Sequence, residues 1–166
     1  MLKAEAWETM KKHPHFITVL AILAAGPAQA ANPPLAVTGL VSTPLHLTAA
    51  DLSAFPPIHI LASQISGKGP VALDCNGASL AAILSKATLK LGGKQNAGLS
   101  HTLLVTGDDG YTVVLSLGEI DADYGDAGAI IATSCNGKPL NNPRLVMPND
   151  KHGGRAVQGV VSIEVK

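Results

Sequence analysis

The sequence predicts an α+β domain, rich in strand, built on a mixed sheet with two or three short helical connections. Three observations carry that reading. Short β-rich or alternating runs recur at residues 35–41, 58–63, 102–106, 111–115 and 157–165. Turn chemistry separates them, most clearly Gly107-Asp108-Asp109-Gly110 and Asn136-Gly137. Against these strands stands one convincing amphipathic helix, 78–91, in which Leu80, Ile83, Leu84, Ala87 and Leu91 recur at helical spacing before Gly92 and Gly93 stop it.

Before the first strand, residues 1–30 read as a targeting segment. Lys11, Lys12 and His13 make a basic head, residues 16–25 an apolar run, and Gly26-Pro27 a break before Ala28-Gln29-Ala30, which has the form of an Ala-x-Ala cleavage site. Met10 stands directly before the two lysines and is read as the start of translation, with residues 1–9 an upstream extension. The apolar run is short for a membrane span; an uncut anchor is the competing reading. Cleavage leaves residues 31–166, the size of one domain with its own core, exported to the periplasm or secreted. This part carries nine Lys and Arg against ten Asp and Glu. A near-neutral chain without basic runs has no field to gather nucleic acid or anionic lipid.

Within it, residues 35–41 form the first strand. Thr48, three residues before Asp51, starts a short helix that ends ahead of Pro56-Pro57. Residues 58–63 follow as a strand placed near a sheet edge by those prolines, 64–70 as a polar glycine-containing loop, and 71–73 as a further short strand. After the helix come the two strands about Gly107–Gly110, then a helical turn begun by Ser116 and Glu119. Residues 130–133 and 144–147 flank the Asn136-Gly137 turn. Last, between Pro148 and the strand 157–165, lies Asn149-Asp150-Lys151-His152-Gly153-Gly154-Arg155. An acid, three groups able to carry positive charge and two adjacent glycines between strands read as an anion-holding rim.

Other chemistries find little support. His46, His59, His101 and His152 are scattered without the paired spacing of a zinc or copper site. Asp121, Asp123 and Asp126 do not meet the EF-hand spacing and read as a solvated acidic turn. No nucleophile elbow or phosphate-binding P-loop occurs. Cys75 and Cys135 are an even pair in an exported chain, so a disulfide is chemically permitted; geometry decides whether it forms.

Taken in order, several of these signals resemble a known family. They are Gly77-x-x-Leu80-x-x-x-Leu84, Thr106-Gly107-x-Asp109-Gly110-Tyr111, Asn136-Gly137-Lys138-Pro139-Leu140, Arg144-Leu145-Val146-Met147-Pro148, and Lys151, Gly153, Gly154 and Arg155 before Ile163-Glu164-Val165. Together they resemble the molybdopterin-binding domain of the sulfite-oxidase type, in particular its short, exported, single-domain members. The resemblance implies a β-rich, barrel-like fold and a pocket for a pterin or molybdopterin, whose phosphate needs a cationic or amide-rich site. On that basis Lys151, His152, Gly153, Gly154 and Arg155 are expected at the phosphate, Arg155 first because its planar fork suits an oxyanion. A surface arginine paired with Asp150 or Glu164 is the competing reading. Tyr111 is expected to close over the ring, or else to be a half-buried strand tyrosine, and Asp109 beside it is expected to contribute to the same site.

The chain departs from the family at the metal. There a cysteine at the end of a strand upstream of the helix ligates molybdenum; the matching strand here, residues 59–63, ends in Ser63 and holds no cysteine. Ser63 offers a hydroxyl in that place, so a bound molybdenum is in doubt. Ala156 also stands where short members commonly carry tryptophan. The resemblance thus implies a periplasmic pterin-binding protein, non-catalytic, sensing its ligand for a membrane signalling partner. The alternative is a molybdenum-cofactor oxidoreductase that uses Cys75 after a shift of register; a subunit with a vestigial pocket is a third.

Overall fold

A computed structural model describes residues 33–93 and 95–166. The expected targeting segment and the Met10 start lie outside the described residues. The elements are β1 Leu35–Gly39, β2 Leu45–Leu47, α1 Ala49–Ser53, β3 Pro57–Ser66, β4 Gly69–Ser79, α2 Leu80–Ala87, β5 Thr102–Gly107, β6 Thr112–Ser116, α3 Leu117–Ile120, β7 Ile130–Cys135, β8 Lys138–Val146 and β9 Val160–Val165. Two sheets result. One runs β2-β1-β9-β5-β6 and is mixed, because β1 pairs with β9 in parallel while its other pairs are antiparallel. The other, β3-β4-β7-β8, is antiparallel throughout. Both sheets stay open, so the strand-rich α+β class is as expected while no barrel closes among the described residues.

The main core lies under the five-stranded sheet. Leu103 and Val105 of β5 and Val37 of β1 face inward at alternate positions and meet Leu80, Ile83, Leu84 and Ala87 from one face of α2. Each of these Leu, Ile and Val side chains contributes roughly 1.5–3 kcal/mol when fully buried. The helix is shorter than the periodicity predicts. At Thr88 the backbone turns to φ 56°, and the amides of Ser42 and Thr43 bond to the carbonyls of Thr88 and Ala87. Leu89 and Leu91 therefore pack against the core from an extended segment rather than from another helical turn.

The β3–β4 hairpin is the larger departure. Instead of a loop over 64–70, both strands continue to Ser66 and from Gly69, leaving Gly67 and Lys68 as the turn. The Ser66 hydroxyl donates to the Gly69 carbonyl and accepts from the Lys68 amide. The polar and glycine residues serve the turn itself. Further along β4, a Cβ at Gly77 would overlap the Ile131 carbonyl, so glycine is what lets β4 approach β7 at its bulge. Asn136 at φ 52° and Gly137 at φ 71° make the β7–β8 turn as expected.

Cys75 and Cys135 stand directly opposite one another on β4 and β7, their Cα atoms 4.1 Å apart, and are joined in a disulfide. Around it Ile60, Leu73, Ile130 and Val146 form a second, smaller core. The final strand begins at Val160 rather than 157, because Val157 is held outside the sheet, its carbonyl accepting from the Leu145 amide.

Candidate functional site

An open cleft of about 460 Å³ lies where the end of the β3–β4 hairpin, β8 and the segment after Pro148 meet. Two of its side chains define its chemistry. Gln64, on the inward face of β3 with Ile60, is only 3% exposed and is the one buried polar side chain among the described residues. Its amide nitrogen donates to the Met147 carbonyl at 3.1 Å, and its Oε1 has no partner. Arg144 of β8 lines the same cleft, half-buried, with its Nε enclosed and unpaired. Burial holds its pKa below the usual arginine range, with no opposing carboxylate to offset the desolvation. Guanidinium remains charged at neutral pH. A buried acceptor and a buried donor, both without protein partners, therefore line one cavity.

One wall of the cleft is the 149–155 loop, and it is pinned at several points. The Ile65 amide donates to the Lys151 carbonyl at 2.8 Å, and His152 bridges Ile65 in parallel fashion, so the loop lies along the free edge of β3. Tyr111 donates its hydroxyl proton to the Gly154 carbonyl at 2.7 Å. Arg155 makes a fork on Asp150, Nε to Oδ2 at 2.9 Å and Nη2 to Oδ1 at 2.6 Å, and donates through Nη1 to Glu119 Oε2 at 3.0 Å. Its pKa is driven above the ordinary arginine value, first by the bond to Asp150 and then by the bond to Glu119. Glu119 also accepts from the Ser116 amide at the start of α3, so the clasp ties the loop to a helix cap.

Of the residues expected at the site, His152, Gly153 and Gly154 line the cleft. Lys151 gives its carbonyl to β3. Arg155 has three of its N–H groups committed to carboxylates, the pairing expected with Asp150 together with Glu119 rather than Glu164. Tyr111 is 51% exposed and latches the loop through its hydroxyl. Asp109 accepts from the Tyr111 amide at 2.8 Å and shapes the β5–β6 turn. Ser63 is exposed, on the face of β3 opposite to Gln64. Gln64 and Arg144 were not among the expected site residues. For Gln64 a signal existed, since continuing the alternation of β3 past Ser63 puts it on the face of Ile60. Arg144 stood in view as the charged head of an apolar strand.

The disulfide bears on the metal. The chain has two cysteines and both are in it, so neither offers a thiolate, Cys75 included. Among the described residues no three His, Cys, Asp or Glu side chains converge as a metal site.

Comparison with known protein families finds no match, and comparison with curated proteins finds none either. Among solved structures the chain is similar to the sulfane dehydrogenase SoxCD from Paracoccus pantotrophus, with a TM-score of 0.66 and 20% identity. The match covers 83% of this chain and 39% of that one. At this identity the likeness shows the fold: a mixed α+β architecture of two sheets with few short helices. The chain spans well under half the length of the protein it matches.

Proposed function

We propose that the cleft binds a pterin of the molybdopterin kind and that the protein works by recognition. The observation that carries this reading is the pair of unpaired, buried atoms Gln64 Oε1 and Arg144 Nε. An enclosed polar atom without a partner costs about 1–3 kcal/mol, which a ligand that supplies the partner recovers. A pterin edge offers ring N–H donors to the Gln64 oxygen, and its phosphate tail suits the uncompensated guanidinium of Arg144. Gly153 and Gly154 let the loop backbone approach the ligand closely, with His152 beside them. In this reading Arg155 and Tyr111 are positioning residues, holding the wall against which the ligand rests.

The pterin fits these residues; a molybdenum held by a protein thiolate does not, because both sulfurs are in the disulfide. The second reading, a molybdenum-dependent oxidoreductase, is favoured by the fold likeness to a dehydrogenase. Following the targeting signal expected in residues 1–30, the protein would act in the periplasm. Ligand contact with the 149–155 loop would there alter a surface read by the outer domain of a membrane signalling protein.

The test begins with protein purified from the periplasm. Denatured protein should release a compound with pterin fluorescence and mass, while the intact sample lacks stoichiometric molybdenum. Stoichiometric molybdenum would turn the conclusion to the oxidoreductase. Release of no small molecule, with no binding of added pterin, would make the cleft vestigial.

A further inference from the structure

The four-stranded sheet ends on one side at β3, and one bond fixes which way the backbone groups of that edge point. The Ile65 amide donates away from β4, to the Lys151 carbonyl at 2.8 Å. Because β3 pairs with β4 without a break in register from Pro57 to Ser66, the alternate residues Ser63, Leu61 and His59 turn their amides and carbonyls outward as well. None of these three has a backbone partner on that side among the described residues. Both ends of the edge are closed. Ile65 is taken by the loop, which bridges it through His152, and Pro57, on the same alternation, has no N–H to give. The open window is therefore His59 to Ser63, and Leu61 stands at its centre, equally far from either stop.

Edge strands are ordinarily guarded by charge, by proline or by a bulge. Between Ile58 and Ile65 there is no Asp, Glu, Lys or Arg, and the pairing of β3 with β4 has no bulge. His59, Leu61 and Ser63 share the face of β3 opposite to Gln64, and all three are exposed. Leu61, at 73%, is the most exposed large apolar side chain among the described residues. Asp74, the carboxylate opposite it on β4, is paired with His59 Nε2 at 2.8 Å.

We propose that this edge pairs with the same edge of a second copy of the chain, antiparallel about a two-fold axis at Leu61, so that one sheet runs through both. The window is symmetric about Leu61, and a second copy matches it end for end. In this register Leu61 faces the partner's Leu61 and His59 faces the partner's Ser63, each pair exchanging two backbone bonds. Pro57 falls beside the partner's Ile65, so the residue that cannot donate meets the one whose amide is already used. Leu61 packs against its copy at the distance where cross-strand side chains touch, and no like charges within the window come to stand opposite one another. A contact of two short strands buries less than the ~1,200 Å² of a standard interface, so the dimer is weak, with a dissociation constant of about 10–1,000 μM. The pairing makes no use of the cleft and stands whether or not a pterin binds.

The experiment is sedimentation velocity on the protein purified from the periplasm, from about 1 μM to about 1 mM, where monomer should give way to dimer as concentration rises. Leu61→Lys sets like charges directly opposite one another at an exposed position. It should raise the dissociation constant about tenfold or more while leaving the thermal midpoint unchanged. Leu61→Cys tests the register. Facing residues of a hydrogen-bonded pair have Cα atoms about 5.5 Å apart, within reach of a disulfide, so mild oxidation should give a covalent dimer. Val114→Cys, at a position 59% exposed on β6, the outer strand of the five-stranded sheet, should stay monomeric under the same treatment. A protein that is monomeric at the highest concentration, leaving the edge to a strand of another protein, would overturn the proposal. So would association that Leu61→Lys leaves unchanged, or cross-linking through Val114→Cys in place of Leu61→Cys.

Discussion

Arg144 and Arg155 flank the same cleft in opposite states. Arg155, on the loop, is gripped by two carboxylates and its charged form is strongly favoured. Arg144, on β8, is half-buried without a carboxylate, and its charged form is disfavoured by burial. The first arginine has its electrostatic needs met inside the protein, whereas the second holds them open. Function is better sought at the second, because a group that destabilises the free protein while inviting a counter-ion is what a binding site keeps.

The frame around Arg144 should respond most strongly. Arg144 pairs through β8 with β7, and β7 is joined to β4 by the disulfide, which spans a sequence separation of 60. Replacing both Cys75 and Cys135 by Ser should cost about 2–4 kcal/mol, read as a lower denaturant midpoint. An unshifted midpoint would show that the small core around Ile60, Leu73, Ile130 and Val146 holds this sheet unaided.

Next comes the contrast itself, which gives effects of opposite sign. Arg144→Gln should weaken pterin binding about ten- to a hundredfold, or roughly 1.4–2.8 kcal/mol, while leaving the ligand-free protein as stable as before or more so. Arg155→Gln should instead cost stability, about 1 kcal/mol, since a side chain 39% exposed is well screened. Its effect on affinity should be smaller and should arise through the loop. If the Arg144 variant loses stability and the Arg155 variant does not, the two roles are reversed. The sign of the pH dependence also follows. A base whose folded pKa is raised above its ordinary value contributes fully at any pH below that ordinary value and loses its contribution only above it. The stability gap between parent and Arg155→Gln should thus stay flat from neutrality into mild alkali, and a gap that closed there would remove Arg155 from the clasp.

Much of the frame was legible because its signals are local. The Asn136-Gly137 turn follows from two adjacent residues that tolerate positive φ, and Thr48 with Asp51 forms the capping box that their spacing implies. The α2 stripe is legible too, although its end is not, because Thr88 turns to meet Ser42 and Thr43, partners distant in sequence. The cleft was harder to read. Gly67, Lys68 and Gly69 look like a long loop until β3 and β4 are paired, and only that pairing gives Gln64 an inward face. In the same way, a charged loop with two glycines draws the eye to Arg155, but charge in a sequence does not reveal which carboxylates lie beside it. Arg144 stood at the head of a separate strand motif, and that no carboxylate pairs with it is a tertiary property.

The smallest effect tests whether the loop wall is shared between the two arginines. Tyr111 reaches the Gly154 carbonyl, whose residue lines the cleft, and stands immediately before Arg155. Removing one hydroxyl at an exposed position should cost about 0.5–1 kcal/mol, so Tyr111→Phe is expected to lower the thermal midpoint only slightly. In combination with Arg155→Gln the two losses should not add, because both groups hold one short segment and releasing either already loosens it. Thermal midpoints of the two single variants and the double variant measure that coupling. Strict additivity would mean that Gly154 and Arg155 are held independently, and the loop would then have to be treated as two separate walls, with Tyr111 serving the cleft and Arg155 serving the cap of α3.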